Sequence, residues 1–454
     1  MIPTPTNQIG DCSLYLSENL AILRQMPSNS LEACVTDPPS GTGFMGKEWD
    51  DFGRIIHNKV RSADPEKNTK GLLAGYGRGG SPEDRVSHTR RSREAFIPWL
   101  TEIMAEVYRV LKPGAHALVW ALPRTSHWTA MACEDAGFEI RDSILHLFSS
   151  GYPKSQNISK AIDQEFGVER EVIGTTRAGI GRNSRGGAEF VSYTAIEAEK
   201  QVPVTAPATD AAKQWNGWGS ALSPSHETWW LCRKPLSEST LAKNVLKWGV
   251  GGLNVDGCRI PSTGESRSRD GESSAEQRYT TNGSTNFAAK PGFRGGDPLG
   301  RFPKNTILDG SDTVAAQFPQ APGQQGAVTG TEPTGTGFSG KVYGAMDGTR
   351  RPSQPRGDTG SASRYFYAAK ASKADRGEYN THATVKNTAL MQYLIRLITP
   401  AGGTILDPFA GSGSTGKAAL LEGKKFLGIE REPEYYAIMK RRLQEAAAQP
   451  LLFP

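Results

Sequence analysis

Two acidic residues of this sequence are each followed directly by proline, and each comes at the end of a short apolar run. Leu31–Thr36 leads into Asp37, and Ile405-Leu406 leads into Asp407. Proline ends a strand and restricts the residue before it, so each carboxylate is expected at a fixed place just beyond a strand. A carboxylate held in this way can accept N–H groups of a ligand. The other interpretation of Asp37 is an acid that only caps a strand before a proline turn.

A glycine-rich turn follows Asp407 and leads into a helical pattern. Gly411 and Gly413 form the turn, and a further acidic strand end, Glu430, lies 23 residues after Asp407. A strand, a glycine turn and a helix in this order present backbone N–H groups to a ligand, and in dinucleotide-type units an acid about 20 residues further on meets a ribose hydroxyl. The stretch therefore predicts an adenosine-containing ligand.

Two other interpretations of the glycine turn remain open. The stretch from Gly411 to Lys417 nearly matches the phosphate-cradling loop of P-loop nucleotide-binding proteins. The match to this loop pattern breaks at Ala418, because alanine has no hydroxyl to bind Mg²⁺. Alternatively, the glycines only let a helix pack on a strand.

The elements that must position these residues alternate between strand and helix near both ends of the chain. This alternation is typical of an α/β protein with a parallel sheet. Helices are expected over Ala95–Leu111, from about Ser126, over Lys417–Glu422 and over Ala389–Ile398. Strands are expected over Leu31–Thr36, Ala115–Trp120, Ser143–Phe148, Ile405-Leu406 and Lys424–Glu430.

Length and composition set further limits. The chain has 454 residues, enough for two or three domains, and a net charge of +6. No apolar run approaches the roughly 20 residues that span a membrane, and no secretory signal is visible. Five scattered cysteines predict buried thiols in a reducing cytoplasm and no metal site. They are Cys12, Cys34, Cys133, Cys232 and Cys258.

Residues 150–370 have a different composition, rich in Gly, Ser, Thr, Arg and Pro, which predicts short strands joined by long loops. Residues 53–93 have the pattern of a mobile, basic loop. Clustered arginines suit contacts with nucleic-acid phosphates, although charge runs are often only solvated. The clustered arginines are Arg78, Arg85, Arg90, Arg91, Arg93, Arg177, Arg182, Arg185, Arg350, Arg351 and Arg356.

The two acidic motifs together resemble those of the amino-group DNA methyltransferases. Asp-Pro-Pro at Asp37 is similar to the family's catalytic motif, and the stretch from Asp407 to Gly413 to its cofactor motif. Further similarities lie at Gly10–Cys12, Val110–Gly114 and Asn380–Lys386. The order of the motifs is that of the family's β group, and the resemblance covers roughly residues 8–165 and 365–445. Several shorter stretches are similar to methylases of bacteriophages and prophages.

This resemblance implies a Rossmann-like, mostly parallel sheet with helices on both faces, plus a large loop-rich insertion. Residues 1–165 would form the catalytic half, 166–370 a target-recognition insertion, and 371–454 the cofactor-binding half. The implied substrate is double-stranded DNA, the implied methyl donor is S-adenosylmethionine, and the implied setting is the cytoplasm of a bacterium or of a phage-infected cell. The oligomeric state, monomer or homodimer, stays open.

The resemblance also implies site residues. The catalytic residues would be Asp37, Pro38, Pro39 and Ser40. The cofactor would be bound by Asp11, Cys12, Thr384, Lys386, Asp407, Pro408, Phe409, Gly411, Ser412, Gly413, Thr415 and Glu430. The family usually has an aromatic residue where this chain has Ser40, so Phe44 and Trp49 are candidates to stack on the flipped base. A second departure is Ala383 and Asn387, in place of two prolines.

The implied reaction is direct methyl transfer to an exocyclic amino nitrogen of a flipped base. Asp37 and the Pro38 carbonyl would each accept one N–H and so localise the nitrogen lone pair, on a loop that the prolines make rigid. Adenine N6 is favoured because Asp rather than Ser precedes Pro-Pro, and cytosine N4 is the alternative. A P-loop nucleotide-binding protein and a DNA-binding protein that has lost catalysis are further alternatives.

Overall fold

The computed structural model describes residues 2–40, 82–149, 151, 155–177, 201–261, 267–268, 293–294, 299–322, 359–370, 372, 375–377, 379–382 and 384–448. Most of its strands belong to one ten-stranded sheet, in the order β1-β2-β16-β15-β3-β4-β8-β5-β11-β14. These strands are β1 Asn7–Ile9, β2 Cys12–Leu16, β3 Leu31–Thr36, β4 Leu111–Ala121, β5 Glu139–Leu147, β8 His226–Arg233, β11 Thr306–Leu308, β14 Tyr367–Ala368, β15 Thr404–Asp407 and β16 Lys425–Glu430.

Six short strands pair outside this sheet. They are β6 Val172–Arg177 with β7 Gln201–Thr205, β9 Arg267–Ser268 with β10 Phe293–Arg294, and β12 Gln320–Pro322 with β13 Thr359–Ser361. The described part of the chain also contains ten α-helices. They are α1 Asn19–Leu23, α2 Pro82–Val110, α3 Ser126–Asp135, α4 Ile158–Glu165, α5 Asp210–Gln214, α6 Leu241–Trp248, α7 Asp312–Ala315, α8 Thr388–Ile398, α9 Ser414–Leu421 and α10 Pro433–Ala447.

The sheet is mostly parallel, as predicted. The neighbours β2, β16, β15, β3 and β4 all run in one direction. Strand β8 runs against both β4 and β5, and β1 runs against β2. Parallel strands bring their carboxyl ends to the same edge of a sheet, so the acids predicted at the ends of β3, β15 and β16 are neighbours.

Helices cover both faces of the sheet, which confirms the predicted Rossmann-like architecture. Alternate residues of one strand point to opposite faces, so Ala33 and Val35 of β3 pack on one side and Cys34 on the other. Helices α8, α9 and α10 bury their apolar residues on the first face, and α1, α2 and α3 on the second. All five cysteines are buried and unpaired, as expected. No helix in the described ranges is long and apolar enough to cross a membrane.

The first part of the chain needs two corrections. The sequence predicts a loop over residues 53–93, but helix α2 already begins at Pro82, because its pattern of helix-forming residues continues upstream of Ala95. The helix ends at Val110, and β4 starts at Leu111 and includes the Pro-Gly pair that the sequence pattern places in a turn before the strand. Residues 53–81 lie outside the described ranges.

Part of the middle of the chain belongs to the main sheet, and the division into domains stays a prediction. Strand β8 lies between β4 and β5, and β11 and β14 extend the same sheet. Trp229 of β8 is fully buried in the core that contains helix α8. The apolar island at residues 228–232 is therefore a sheet strand, placed by pairing with residues about 80 to 115 positions earlier. Target recognition by parts of 166–370 stays a prediction.

The fold is expected to tolerate the removal of residues 262–298. Ile260 and Arg301 exchange two backbone hydrogen bonds, of 3.0 and 2.7 Å, so the chain ends that flank residues 262–298 are already held together. Replacement of 262–298 by a four-residue Gly-Ser turn should keep a cooperative melting curve, because closing a short loop there adds little entropic cost. Deletion of His226–Arg233 is the matched comparison and should abolish cooperative melting. A shortened protein that melts without a cooperative transition contradicts the expectation.

Candidate active site

A cavity of about 360 Å³ opens at the edge of the sheet where the parallel strands end. It lies beside the carboxyl ends of β2, β3, β15 and β16. The cavity therefore brings together the two acidic motifs that the sequence separates by 370 residues. Its lining includes Ser17, Asn19, Asp37, Pro38, Pro39, Ser40, Trp99, Trp120, Glu227, His382, Thr384, Lys386, Asp407, Pro408, Phe409, Gly411, Ser412, Thr415, Glu430 and Tyr435.

Asp407 joins three elements at the base of the cavity. One oxygen of its carboxylate accepts hydrogen bonds from the Thr36 hydroxyl at 2.7 Å and from the Phe409 N–H at 3.1 Å, and the other accepts from the Thr415 hydroxyl at 2.6 Å. Burial raises the pKa of Asp407 to about 6, and these three hydrogen bonds oppose the rise. The carboxylate thus ties β3 and helix α9 to the end of β15.

Glu430 shapes the glycine turn from the end of β16. Its two oxygens accept the backbone N–H groups of Gly411 and Glu432, each at 2.8 Å. Burial raises the pKa of Glu430, and the bonds from these N–H groups act against that rise. Gly411 has a left-handed φ of +51°, and a Cβ there would lie 3.0 Å from Nε2 of His382. The turn therefore follows the cavity wall closely, and its position needs glycine.

Asp37 also lines the cavity, next to a largely buried lysine. Its Oδ2 is 3.3 Å from Nζ of Lys386, and the same Nζ is 3.2 Å from Oε2 of Glu227. Burial alone would lower the pKa of Lys386, but the two carboxylates outweigh burial and raise it. The Lys386 ammonium also lies 3.9 Å from the centre of the Trp120 ring, within cation–π distance.

Glu227 at the start of β8 is held by three partners. Lys386 and the indole N–H of Trp120 donate to Oε2, and Nδ1 of His146 lies 3.0 Å from Oε1. Burial acts to raise the pKa of Glu227, but Lys386, His146 and Trp120 lower it to about 2. Glu227 is therefore an ion at neutral pH although only 16% of its side chain is exposed.

Aromatic rings cover much of the remaining wall. Trp99 and Phe409 lie with their ring centres 5.6 Å apart, and His382 and Tyr435 pack edge to face at 4.3 Å. Both pairs line the cavity. Carboxylates at fixed places beside flat apolar surfaces suit a ligand with aromatic rings and donor groups.

The sequence matches the family of DNA methylases that is described as N6_N4_Mtase, over residues 31–441. The chain belongs to this DNA methylase family. A relative from Escherichia coli K12, the DNA adenine methyltransferase YhdJ, is 44% identical over 70 residues, which is 15% of this chain and 24% of that protein. The type II methyltransferase M.HindIII of Haemophilus influenzae is 23% identical over 248 residues, covering 54% of this chain and 65% of that protein. These matches therefore span less than two thirds of either relative.

One solved structure that the chain matches is that of the cytosine-N4-specific PvuII DNA methyltransferase. The two chains are 13% identical with a TM-score of 0.38, over 97% of this chain and 88% of the other.

Most of the predicted site residues line this cavity. Those that do are Asp37, Pro38, Pro39, Ser40, Thr384, Lys386, Asp407, Pro408, Phe409, Gly411, Ser412, Thr415 and Glu430. Ser40 accepts a hydrogen bond from the Thr125 hydroxyl through its carbonyl oxygen. Asn387 caps helix α8 through its side chain, which gives the departure from proline a structural role. Phe44 and Trp49 lie outside the described residues.

Three predicted cofactor residues do not line the cavity. Asp11 and Cys12 stand at the start of β2, whereas the cavity lies beyond its end, roughly 13 Å away at a strand rise of about 3.3 Å per residue. The side chain of Cys12 is buried in the core, and burial raises the pKa of its thiol to about 12. Gly413 serves packing instead, since a Cβ there would lie 2.7 Å from Cγ of Met439 in helix α10.

Several cavity residues are not predicted by the sequence patterns. Glu227 and Trp120 come from strands β8 and β4, and His382 precedes Lys386 by four residues. Arg442 of α10 is buried and donates to the Ser412 carbonyl at 2.6 Å, which fixes the glycine turn from behind. The sequence feature that could have indicated Glu227 is an acidic residue at the start of an apolar strand. No local feature of the sequence distinguishes Arg442 from other arginines in helices.

The raised pKa of Asp407 predicts a pH effect on stability. Its folded-state pKa of about 6 exceeds the ordinary 3.8, so its contribution to stability is fully present below pH 3.8 and is lost as the pH rises through about 6. Relative to the parent, Asp407→Asn should gain about 2–3 kcal/mol of unfolding free energy between pH 4 and pH 7. Urea unfolding at several pH values measures this. A constant difference between the two proteins across that range contradicts the expected loss.

Proposed function

We propose that this methylase transfers a methyl group from S-adenosylmethionine to the N6 amino group of adenine in double-stranded DNA. The observation that carries the proposal is that Asp37, the glycine turn and Glu430 all line the same cavity. A catalytic acceptor and an adenosine-binding turn are the two parts that such a reaction must bring together.

The residues present fit the methyl donor. The cavity volume of about 360 Å³ lies within the range of small-molecule sites, near 300–1,000 Å³. Glu430 accepts one backbone N–H on each oxygen, which leaves lone pairs for ribose hydroxyls. Asp407, Thr384 and Lys386 would hold the methionine part, and the rings of His382 and Tyr435 offer flat surfaces for adenine. Bound there, S-adenosylmethionine supplies a methyl group carried on a positively charged sulfur.

The chain's own residues would prepare the target nitrogen. An exocyclic amino nitrogen is a weak nucleophile, because its lone pair is delocalised into the ring. Asp37 and the Pro38 carbonyl would each accept one N–H, which localises the lone pair towards the donor. The prolines hold both acceptors in place before the base arrives. The base must leave the duplex to reach them, at a cost of a few kcal/mol.

The choice of adenine rests on two features. Asp stands before Pro-Pro in this chain, and the relative with 44% identity over 70 residues is named an adenine methyltransferase. Cytosine N4 would use the same geometry and is the alternative. A P-loop nucleotide site is disfavoured because Lys417, the lysine of that loop pattern, is absent from the cavity lining.

Contacts to DNA phosphates are proposed for the clustered arginines. Arg90 and Arg93 are the members of those clusters with described side chains, and both are exposed. Arg90 pairs with Glu94 in α2 at 2.7 Å, and an exposed pair of this kind is weak enough to be exchanged for a phosphate. We place the enzyme with its DNA substrate in the cytoplasm of a bacterium or of a phage-infected cell.

One experiment tests the proposed reaction. The protein is incubated with DNA and isotopically labelled S-adenosylmethionine, and the DNA is digested to nucleosides for mass spectrometry. Labelled N6-methyladenine is the expected product. N4-methylcytosine would move the assignment to the alternative base, and the absence of any labelled nucleoside would contradict the proposed function.

A further inference from the structure

Glu227 is a second carboxylate on the wall that carries Asp37. Its three partners come from separate elements: Trp120 from β4, His146 from β5 and Lys386 from the segment before α8. A carboxylate with this many donors keeps its charge and its place when ligands enter or leave. Glu227 is therefore a fixed anion close to the proposed acceptor.

Lys386 connects Glu227 to Asp37. Its ammonium lies at nearly equal distances from both, 3.2 and 3.3 Å, and only 14% of its side chain is exposed. Two carboxylates and one ammonium carry one net negative charge. Without the charge of Glu227, the ammonium would be left with Asp37 alone, and the two would form a neutral ion pair.

The net charge matters for the proposed reaction because positive charge develops on the amino nitrogen as the methyl group arrives. A wall with one net negative charge stabilises that nitrogen, and a neutral pair does so far less. A lysine paired with Asp37 alone would also compete with the amino N–H for the carboxylate. Glu227 acts against both effects through its contact with Lys386.

We propose that Glu227 is a positioning residue for methyl transfer: it shares Lys386 with Asp37 and so leaves Asp37 able to accept the amino N–H in a negatively charged wall. This inference rests on the proposed function. It extends that function to a residue on an antiparallel strand, outside both acidic motifs.

A double-mutant cycle of Glu227→Gln and Lys386→Met tests whether the net charge of Asp37, Glu227 and Lys386 matters for methyl transfer. Glu227→Gln keeps the shape but removes the charge, and it should lower kcat about 100-fold while the Kd values for S-adenosylhomocysteine and DNA stay within about threefold. Adding Lys386→Met removes the opposing ammonium and restores one net negative charge on Asp37. At saturating S-adenosylmethionine, which offsets the contact that Lys386 would make with the methionine part, the double variant should recover to within about tenfold of the parent kcat. A purely structural role for Glu227 would instead make the two losses multiply.

Glu139→Gln is the matched control. Glu139 lies on β5 and pairs with Arg233 at the other end of the β5–β8 pair, so it tests the loss of an ion pair in the same strands away from the cavity. It should leave kcat unchanged. Should Glu227→Gln melt below the assay temperature, Glu227→Asp decides in its place: a kcat within about tenfold of the parent supports the inference, and a loss of about 100-fold overturns it.

The outcomes separate the two proposals. A parent protein that methylates no DNA contradicts the proposed function. A parent that methylates DNA, with Glu227→Gln at the parental kcat or with losses that multiply in the double variant, overturns the role of Glu227 alone.

Discussion

Asp37→Ala is expected to lower kcat by about 10³-fold or more, because it removes the acceptor that localises the lone pair of the target nitrogen. Cofactor affinity should stay within a few fold, since the bonds of Asp407 and Glu430 do not involve Asp37. DNA affinity should stay similar or rise, because a negative charge near a polyanion is lost. Labelled methyl transfer in single-turnover experiments measures the rate, and separate titrations measure the two affinities.

The fold should survive this substitution. Lys386 keeps Glu227 as a partner at 3.2 Å, so its ammonium is not left alone in the wall. Asp256→Ala is a matched control, because Asp256 also pairs with a cation, Arg259 at 2.8 Å, and does not line the cavity. Melting curves of both variants accompany the assay. A folded Asp37→Ala protein that methylates DNA at the parental rate would refute the proposed mechanism.

The two acidic motifs are predictable because their signals are local. An apolar run that ends in Asp-Pro marks the end of a strand, and parallel strands bring such ends together. The resemblance to the amino-group DNA methyltransferases implies one shared site for Asp37, Asp407 and Glu430, and all three residues line the same cavity in the folded chain.

Asp11, Cys12 and Gly413 are expected at the cofactor but do not line the cavity, and no local stretch of sequence contains the reason. Asp11 and Cys12 stand at the start of β2, and the direction of β2 in the sheet decides which of its residues reach the cavity. Gly413 has the same conformational signal as Gly411, a left-handed φ, and differs only in what packs against it. Sequence patterns give residue types and spacings, whereas these distinctions depend on neighbours far along the chain.

The position of the antiparallel strand β8 in the sheet also cannot be predicted from local sequence patterns. Its flanking residues have a loop-rich composition, and its place between β4 and β5 arises from pairing over long sequence separations. That pairing brings Glu227 beside Trp120, His146 and Lys386. A residue of the site therefore comes from a range that the sequence pattern assigns wholly to target recognition.

Gly411→Val is expected to abolish the stabilisation that S-adenosylhomocysteine gives to the parent. At a hundred times its Kd, a ligand adds about 2.7 kcal/mol of stability. Valine at Gly411 must adopt a left-handed φ of +51° and places its branched Cβ against His382, on the cavity wall. It also displaces the backbone N–H that fixes Glu430 at 2.8 Å, so the turn and the ribose acceptor are lost together. Melting with and without ligand measures the effect.

Gly423→Val separates loss of the site from loss of stability. Gly423 has a similar φ of +62° in the turn after α9, and no atom lies within 4 Å of a Cβ built there. Both variants should therefore lose a comparable amount of stability to backbone strain, about 1–2 kcal/mol, but Gly423→Val should keep the full ligand-induced shift. If Gly411→Val keeps that shift as well, the glycine turn does not contact the ligand. If both variants lose it, general destabilisation rather than the turn accounts for the loss.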